Sequence, residues 1–394
     1  MRIVHFIDSL DPAGGGPPTV VPRLAAAQAA LGHQIAIAAA AADAARKAIE
    51  TALEGIPGIG AVRIQYLPAP RGARALWGDA RPIRPLMEHA DVAHLHGVWS
   101  PLLLGAARAA RGAGVPYVVA PHGMLYPWSL SRRRLKKKLG LLLGYRRMLQ
   151  RAAALHVLNS DEQQAMAPLR LRPPMWIIHN GVFAEEFDNL PADGAFRALR
   201  PELGDSPYVL FLSRLHEGKG LVLLARAFAI VARANRSVQL VVAGPDAGAQ
   251  DAFEREIRSA GIADRTHLVG PLYGRDKLAA LRDAACFCLP SEHETFSMAI
   301  LEALACGVPA VISDQCHFPE VVQFNAGLAV RRDERLFASA LCRVLEDDRL
   351  RAAMGESGRQ LVRERFTWPA IAARSIEMYR SLTPTDRAAG GAAS

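Results

Sequence analysis

The chain alternates β-strand and α-helix patterns along most of its length, and this alternation limits the folds it can adopt. Short apolar runs typical of buried strands are separated by helical stretches, and the alternation begins again after residue 206. Six of these runs are residues 2–8, 34–39, 92–96, 117–120, 208–213 and 237–243. Parallel strands need crossover helices of this kind. The pattern therefore predicts an α/β fold with two doubly wound, mostly parallel sheets.

The chain has 394 residues, enough for two domains, and a globular balance of 51% hydrophobic and 22% charged residues. Residues 184–206 contain polar, proline-containing patches and are predicted to be a linker. The five cysteines are interpreted as small core residues in a reducing compartment. Residues 1–8 resemble a strand rather than a secretory signal, and no apolar run approaches the roughly 18 residues of a membrane span. A cytoplasmic location is expected, with any membrane contact peripheral.

Candidate ligand-binding residues follow several predicted strands in the first half of the chain. Residues 11–19 form a glycine-rich loop that allows close approach of a ligand, but the second strand ends in alanines where a dinucleotide site needs a carboxylate. Two later strands end in histidine-glycine turns at His96 and His122, whereas His94 is expected to face the core. Ligands of open α/β sheets gather at strand carboxyl ends, so the two turn histidines are candidates; alternatively, each is a plain structural histidine.

In the second half, Arg214 and Lys219 follow the first strand across a glycine-containing turn. Two cations at a strand end can hold a diphosphate and stabilise charge on a departing nucleoside diphosphate. The sequence has no D-x-D carboxylate pair, and Asp347 and Asp348 are expected on a surface helix. No metal and no other cofactor is therefore expected, with the two cations taking the place of Mg²⁺.

Residues 289–313 combine a strand, a polar turn, a helix and a second strand. The turn carries Glu294, and the helix carries Glu302, about 12 Å away if all eight residues are helical. The amides of residues 295–298 are expected at the helix N-terminus, which favours a phosphate. Two readings remain open: the carboxylates are solvated surface groups, or they hold opposite ends of one elongated ligand.

Residues 132–151 contain nine basic residues and no acidic one, which equals the net charge of +9. Leucines at 135, 139, 142, 143 and 149 recur between the basic positions with helical spacing. The segment could be a solvated helix on the core, a nucleic-acid patch or a surface for anionic lipid. Only Tyr145 could stack on bases, which argues against nucleic acid. An anionic membrane surface is the favoured partner.

Several motifs together resemble glycosyltransferase family 4, the group 1 glycosyltransferases. They are SRLHEGKG (213–220), ETFSMAILEALACGVP (294–309), APHGM (120–124), HNGV (179–182) and WPAIA (368–372). The resemblance implies a GT-B fold, in which two Rossmann-like domains face each other across a cleft. It also implies an acceptor-binding domain over 1–190, a donor-binding domain over 200–366 and a helix over 368–381 that returns to the first domain. The small and polar residues at the end of the chain predict a flexible tail over 382–394.

The resemblance also implies roles for single residues. Glu302 would hold the nucleotide ribose, while Glu294 would contact the donor sugar near its reacting carbon. The diphosphate and sugar contacts implied by the family motifs involve Arg214, Lys219, Thr295, Phe296, Ser297, Met298, Gly15, Gly16 and His122. In this set His122 would lie near the transferred sugar and the others near the diphosphate. The base is expected near residues 270–273. Ser297 replaces a glycine common in the family and could cap the helix.

The expected activity is that of a retaining, metal-independent, hexosyltransferase-type enzyme that uses a nucleoside diphosphate sugar. The expected acceptor is a saccharide hydroxyl, polyprenyl-linked, in cell-surface polysaccharide or lipopolysaccharide biosynthesis. The sequence offers no nucleophile for a double displacement, which favours a same-face route. Two alternatives remain: a nucleotide-sugar epimerase or hydrolase of the same fold, and a non-catalytic membrane-associated binding protein.

Overall fold

The computed structural model describes residues 1–40, 43–68 and 78–383. The chain divides into two compact units, one formed by Met1–Asn180 with the chain from Trp368 onward, the other by Gly181–Thr367. The predicted flexible tail, residues 382–394, lies almost wholly outside the described residues. None of the described helices is long and apolar enough to cross a membrane.

The first unit is built on a seven-stranded parallel sheet in the order β3-β2-β1-β4-β5-β6-β7. Its strands are β1 Arg2–Ile7, β2 Gln34–Ala40, β3 Val62–Leu67, β4 Val92–His96, β5 Tyr117–Ala120, β6 Ala154–Val157 and β7 Met175–Ile177. The central strands β4, β5 and β6 are buried along their whole length, because helices cover both faces of a parallel sheet. The order reverses between β1 and β4, which creates a topological switch point.

The helices of the first unit include one from the end of the chain. They are Gly16–Ala30, Arg46–Glu54, Arg84–Met87, Pro101–Gly112, Pro127–Ser131, Arg134–Gly140, Arg146–Gln150, Ser160–Ala165 and Trp368–Leu382, with a π-helical turn at Leu141–Tyr145. The helix Trp368–Leu382 buries Trp368, Ile371 and Tyr379 in this unit. Gln28 of the helix Gly16–Ala30 donates from Nε2 to the Ser375 hydroxyl at 2.7 Å. The last helix is thus an integral part of the first unit.

The second unit contains a six-stranded parallel sheet in the order β10-β9-β8-β11-β12-β13. The strands are β8 Tyr208–Leu212, β9 Gln239–Ala243, β10 Thr266–Gly270, β11 Cys286–Leu289, β12 Ala310–Ser313 and β13 Gly327–Val330. The helices are Glu185–Asp188, Ala195–Leu199, Leu221–Ala234, Gln250–Ser259, Gly274–Arg282, Met298–Ala305, Glu320–Gln323, Glu334–Glu346 and Asp348–Arg365. Cys286 and Cys288 are buried on β11 with free thiols, as expected of small core residues. The predicted α/β class with two doubly wound parallel sheets is confirmed.

The linker prediction for residues 184–206 was wrong. This stretch forms the helices Glu185–Asp188 and Ala195–Leu199, and it buries Phe196 in the core of the second unit. The Asp283 carboxylate accepts hydrogen bonds from the Gly194 and Phe196 amides at 2.7 and 2.8 Å. The polar composition of this stretch concealed two short helices, and the Asp283 carboxylate holds the start of the second one.

Two other expectations need correction. The glycine-rich segment is shorter than residues 11–19, because a helix begins at Gly16 with prolines in its first turn, where their missing N–H groups leave no bond unmade. The acidic pair does not lie within one helix. Asp347 caps the helix Asp348–Arg365, which the sequence interpretation missed, by accepting from the Leu350 amide at 2.9 Å.

The basic segment is not one continuous helix. Arg133 has a left-handed φ of 55°, and Gly144 has a φ of 151°. The segment therefore forms two short helices, Arg134–Gly140 and Arg146–Gln150, with the π-helical turn Leu141–Tyr145 between them. Of the five leucines in the predicted stripe, Leu135, Leu139, Leu142 and Leu143 are exposed, and only Leu149 packs in the core. The core-facing reading of the leucine stripe is therefore wrong.

Candidate functional site

The candidate site of the second unit lies at the switch point of its sheet. Strands β8 and β11 are neighbours with parallel pairing, and the chain reverses direction of winding between them. Residues 213–220 follow β8, and residues 290–297 follow β11. Both loops therefore emerge at the carboxyl edge of adjacent strands, where ligands bind in open α/β sheets.

Close backbone packing joins the two loops. Gly220 has a φ of 75°, and a Cβ there would lie 2.1 Å from the carbonyl oxygen of Pro290, so no larger residue fits. The Gly218 carbonyl accepts from the Glu292 amide at 2.7 Å and from the Ser291 hydroxyl at 3.0 Å. These contacts fix the position of the lysine that lies between the two glycines.

Lys219 and Glu294 form an ion pair across the two loops, with 2.5 Å between Nζ and Oε1. Glu294 is buried, and its amide donates to the carbonyl of Gln315 at 3.1 Å. A charge-assisted bond of this length holds both side chains in place. Arg214 is exposed on the same loop as Lys219. The second unit thus brings together the predicted Lys219 and Glu294, with Arg214 at the strand end.

The helix after β11 begins later than expected. It spans Met298–Ala305, with Ser297 as its N-cap accepting from the Ile300 amide at 3.5 Å, so the predicted serine cap is confirmed. Only part of the path from Glu294 to Glu302 is therefore helical, and the assumption of a continuous helix between the two carboxylates was wrong. Thr295 precedes this cap. The Phe296 ring packs against Phe318, with ring centroids 5.3 Å apart, so only its backbone is suited to a ligand.

Glu302 has a partner that the sequence interpretation missed. Lys277, on the helix Gly274–Arg282, donates to the Glu302 carboxylate at 2.8 Å. That helix directly follows residues 270–273, where the base was expected, and Tyr273 there is exposed. Both candidate carboxylates are therefore half-buried or buried and lysine-bound, and the solvated-surface reading does not describe them.

The first unit holds the other predicted residues. Gly15 follows β1 through a short turn and has a φ of 95° and a ψ of −140°, a conformation open to glycine, while Gly16 begins the next helix. His122 follows β5 with a left-handed φ of 50°, which is unfavourable for a branched or bulky residue and often marks a functional position. Its Nε2 lies 3.0 Å from Nδ1 of His96, which is buried.

A buried carboxylate supports the His122 turn. Glu162 accepts from the Gly123 amide at 2.6 Å and from the Leu158 amide at 2.7 Å. Burial raises the pKa of Glu162 to about 7 against the opposing effect of these two bonds, and burial lowers the pKa of His122 to about 3. Asn159, a helix-capping residue three positions before Glu162, was the signal that could have revealed this support.

Two groups of side chains in the described part of the chain have the residue types that bind metals. Asp347 caps a helix, and Asp348 pairs with Arg351 at 2.5 Å, so this pair has other roles. His5, His94 and His96, all buried in the first unit, place ring nitrogens within 4.8 Å of one another. Each of these three rings has a hydrogen-bond partner on both of its nitrogens.

Comparison with known proteins places the chain among sugar-transferring enzymes. Residues 196–361 match the family described as "Glycosyl transferases group 1", and residues 15–181 match "Glycosyl transferase 4-like domain". The D-inositol 3-phosphate glycosyltransferase of Xylanimonas cellulosilytica is 30% identical over 310 residues, 74% of this chain and 72% of that protein. The phosphatidyl-myo-inositol mannosyltransferase of Mycobacterium leprae is 27% identical, with 93% of each chain covered.

Solved structures agree on the fold. Sucrose-phosphate synthase from Thermosynechococcus elongatus has a TM-score of 0.74 at 22% identity, with 97% of this chain and 98% of that chain covered. The Anabaena protein HepE in complex with UDP-glucose has a TM-score of 0.76 at 20% identity, with 97% and 100% covered. The predicted GT-B fold is therefore confirmed.

Proposed function

Because the chain belongs to the group 1 glycosyltransferases and is a hexosyltransferase dependent on a nucleotide sugar, we propose that it transfers a hexose with retention to a hydroxyl of a lipid-linked saccharide. The reaction would belong to cell-surface polysaccharide or lipopolysaccharide assembly. The observation that carries the proposal is the ion pair between Lys219 and Glu294 at the switch point of the second unit.

The donor would lie along the second unit from Glu302 to Glu294. Glu302, held by Lys277 at 2.8 Å, would accept hydrogen bonds from the ribose hydroxyls, with the base beside residues 270–273. Arg214 and Lys219 would hold the diphosphate, together with the amides around the Ser297 cap. Glu294 would contact the sugar. Each lysine can exchange part of its carboxylate contact for a ligand contact without being left unpaired.

The reaction we propose proceeds on one face of the sugar. The bond between the anomeric carbon and the diphosphate oxygen breaks, and a new bond forms from that carbon to the acceptor oxygen. The acceptor proton passes to the departing phosphate. Lys219 and Arg214 would stabilise the charge on the diphosphate, and the ammonium group bound to Glu294 weakens this carboxylate as a nucleophile. A trapped glycosyl-enzyme adduct would show that this route is wrong.

The two cations are proposed to serve in place of a metal. Turnover should therefore continue when EDTA is added to the purified enzyme. A loss of turnover in EDTA that Mg²⁺ or Mn²⁺ restores would contradict this part of the proposal.

The first test is a thermal-shift panel of nucleoside diphosphates and nucleotide sugars. GDP-mannose and UDP-glucose are the first donors to include, because GDP-mannose-dependent mannosyltransferases occur among the relatives and the HepE structure contains UDP-glucose. We expect one nucleotide class to raise the melting temperature, and Glu302→Gln to abolish that rise. If no nucleotide sugar shifts the melting temperature, the proposed donor site is wrong.

Residues 132–151 are proposed to bind an anionic membrane surface. Leu135 and Leu142 are 84% and 81% exposed, and Leu139 and Leu143 are also exposed among the basic residues of this segment. Exposed leucines among cations match the two contributions to peripheral membrane binding, which are apolar insertion and attraction to anionic headgroups. Trp128, half exposed beneath the Arg132 guanidinium at 4.3 Å, extends the same surface.

An arginine-lined cavity next to this segment suits a lipid phosphate. Its lining includes Arg108, Arg111 and Arg147, with apolar walls at Leu104 and Leu143, and no acidic residue. Guanidinium groups match phosphate geometry. We propose that it receives the phosphate of a polyprenyl-linked acceptor.

Vesicle sedimentation tests both membrane proposals. We expect binding to vesicles with phosphatidylglycerol that falls with salt, and a loss of at least ten-fold in Leu135→Gln/Leu142→Gln, while exposed Leu199→Gln in the other unit is the matched control. Arg111→Gln/Arg147→Gln should weaken binding to vesicles with polyprenyl phosphate more than binding to phosphatidylglycerol vesicles. Binding that is absent or independent of salt would exclude the membrane surface.

A further inference from the structure

A continuous chain of hydrogen bonds runs through the interior of the first unit and ends at His122. It connects side chains from four strands or strand ends with Gln28 of the helix Gly16–Ala30 and Tyr379 of the helix Trp368–Leu382. In order, its members are His122, His96, His5, Gln28, Tyr379, His94, His156 and the carbonyl of Ile178. All of them except Tyr379 come from within residues 1–180, and Tyr379 belongs to the helix Trp368–Leu382 of the same unit, so the hydrogen-bond chain lies wholly inside this unit.

The hydrogen bonds at the Ile178 end of this hydrogen-bond chain have a fixed donor-to-acceptor direction. The Ile178 carbonyl can only accept, so His156 donates to it from Nε2 at 2.8 Å. Burial lowers the pKa of His156 to about 4, so the ring is neutral and its Nδ1 must accept from Nε2 of His94 at 3.3 Å. The Tyr379 hydroxyl in turn donates to Nδ1 of His94 at 2.6 Å.

Gln28 fixes the direction of the hydrogen bonds in the other half, between His122 and Gln28. The Ser375 hydroxyl donates to the Ala372 carbonyl at 2.7 Å, so it accepts from the Gln28 amide nitrogen at 2.7 Å. The amide oxygen of Gln28 must then accept from Nε2 of His5 at 2.7 Å. The orientation of one glutamine side chain is thereby set by a serine on another helix.

The directions of the remaining two hydrogen bonds follow because their histidine rings are neutral. Burial lowers the pKa of His5 to about 4 and the pKa of His96 well below its usual value. Nδ1 of His5 therefore accepts from Nε2 of His96 at 2.8 Å, and Nδ1 of His96 accepts from Nε2 of His122 at 3.0 Å. Every histidine in the chain carries its proton on Nε2, and every donor points away from His122.

We propose that this hydrogen-bond chain sets His122 in the Nε2–H form, which leaves its Nδ1 as a hydrogen-bond acceptor for a hydroxyl group of a substrate. This use of Nδ1 rests on the proposed function, whereas the proton position does not. His122 is half-buried, and in the described part of the chain its Nδ1 has no protein partner. Gln28 is a positioning residue, because its amide oxygen defines the direction of the three-histidine half.

The test is long-range ¹H–¹⁵N correlation NMR of the full chain with ¹⁵N-labelled histidine rings, recorded at pH 7.5. The His122 signals are assigned by their loss in His122→Gln among the 12 histidines. We expect the pattern of a single Nε2–H form for His122 in the wild type. An Nδ1–H pattern, an imidazolium, or zinc retained on the histidines after dialysis against a chelator would overturn the proposal.

Two variants separate positioning from general structure. Gln28→Met removes the acceptor, so His122 should show an average of both forms, and Gln28→Glu, which keeps an acceptor, should restore the single form. Tyr379→Phe is the control: Ser375 still orients Gln28, so the His122 pattern should not change. An unchanged pattern in Gln28→Met would contradict the role of Gln28.

Measurements of kcat and KM show what the change in His122 does to catalysis. In Gln28→Met, mixing of the two forms should lower kcat at least two-fold with KM for the donor little changed. If the wild type has no turnover with GDP-mannose or UDP-glucose, the proposed function fails while the NMR result still decides the proton positions.

Discussion

Lowering the pH should destabilise the first unit through its buried histidines. A base whose pKa is lower in the folded than in the unfolded chain binds protons preferentially when unfolded, so stability is full above pH 6.5 and falls as the pH drops toward the folded pKa. His5, His156 and His122 have folded pKa values of about 4, 4 and 3, against an ordinary value of 6.5. Burial is the first cause in each case.

The magnitude follows from these values. At pH 5 each of the three histidines contributes a loss of about 2 kcal/mol relative to pH 7.5, or about 6 kcal/mol together. Glu162 acts in the opposite direction, because its pKa rises from 4.5 to about 7 and its protonation favours the folded chain by about 2 kcal/mol over the same range. A net loss of about 4 kcal/mol remains, a large part of the stability of an ordinary domain.

Tryptophan fluorescence isolates this unit, because all five tryptophans lie within residues 1–180 or 368–394 and none within residues 181–367. Urea unfolding at pH 7.5 and pH 5.0 should show the net loss in the free energy of unfolding. His156→Gln should reduce the pH dependence by about 2 kcal/mol, and the exposed His89→Gln is the matched control. A stability at pH 5.0 equal to or above that at pH 7.5 would refute the reasoning.

Three further predictions concern the second unit. Gly220→Ala should weaken nucleotide binding at least ten-fold in calorimetry, because a Cβ would meet the Pro290 carbonyl at 2.1 Å, whereas Gly218→Ala, with its nearest atom at 3.5 Å, should bind nearly as wild type. Phe196→Ala should lower stability by about 3–5 kcal/mol in urea unfolding followed by circular dichroism, against little change for exposed Leu199→Ala. Lys277→Met should weaken binding of the nucleoside diphosphate and its sugar equally, since it acts through Glu302 at the ribose end; an effect confined to the sugar would contradict that placement.

The repeated alternation predicted the fold correctly because parallel sheets covered on both faces leave a strong pattern of apolar runs. The strand ends were also readable, so His122, Lys219 and Glu294 were placed at the carboxyl edges of their sheets. Ser297 was recognised as a cap because capping depends on the side chain and its immediate neighbours. Capping of this kind depends on residues that are close in sequence, so it can be predicted from the sequence.

Contacts between distant segments could not be predicted in the same way. Lys277 meets Glu302 only because two helices pack side by side, and the histidine chain exists only because β1, β4 and β6 align their histidines in one interior. The leucines of residues 132–151 have a helical period, but the turn at Gly144 and the surrounding packing decide that four of them face outward. Residues 184–206 appeared polar, yet the buried Phe196 makes them part of a core.

The central claim is that Lys219 and Glu294 form the reacting end of a nucleotide-sugar site. The most direct measurement is kcat/KM for acceptor-dependent release of nucleoside diphosphate by Lys219→Ala, beside the wild type and the exposed Arg236→Ala of the same unit. We expect Lys219→Ala to lose on the order of 10²-fold or more, because it removes a cation from the leaving diphosphate, and Arg236→Ala to retain wild-type turnover. Wild-type turnover in Lys219→Ala would contradict the claim.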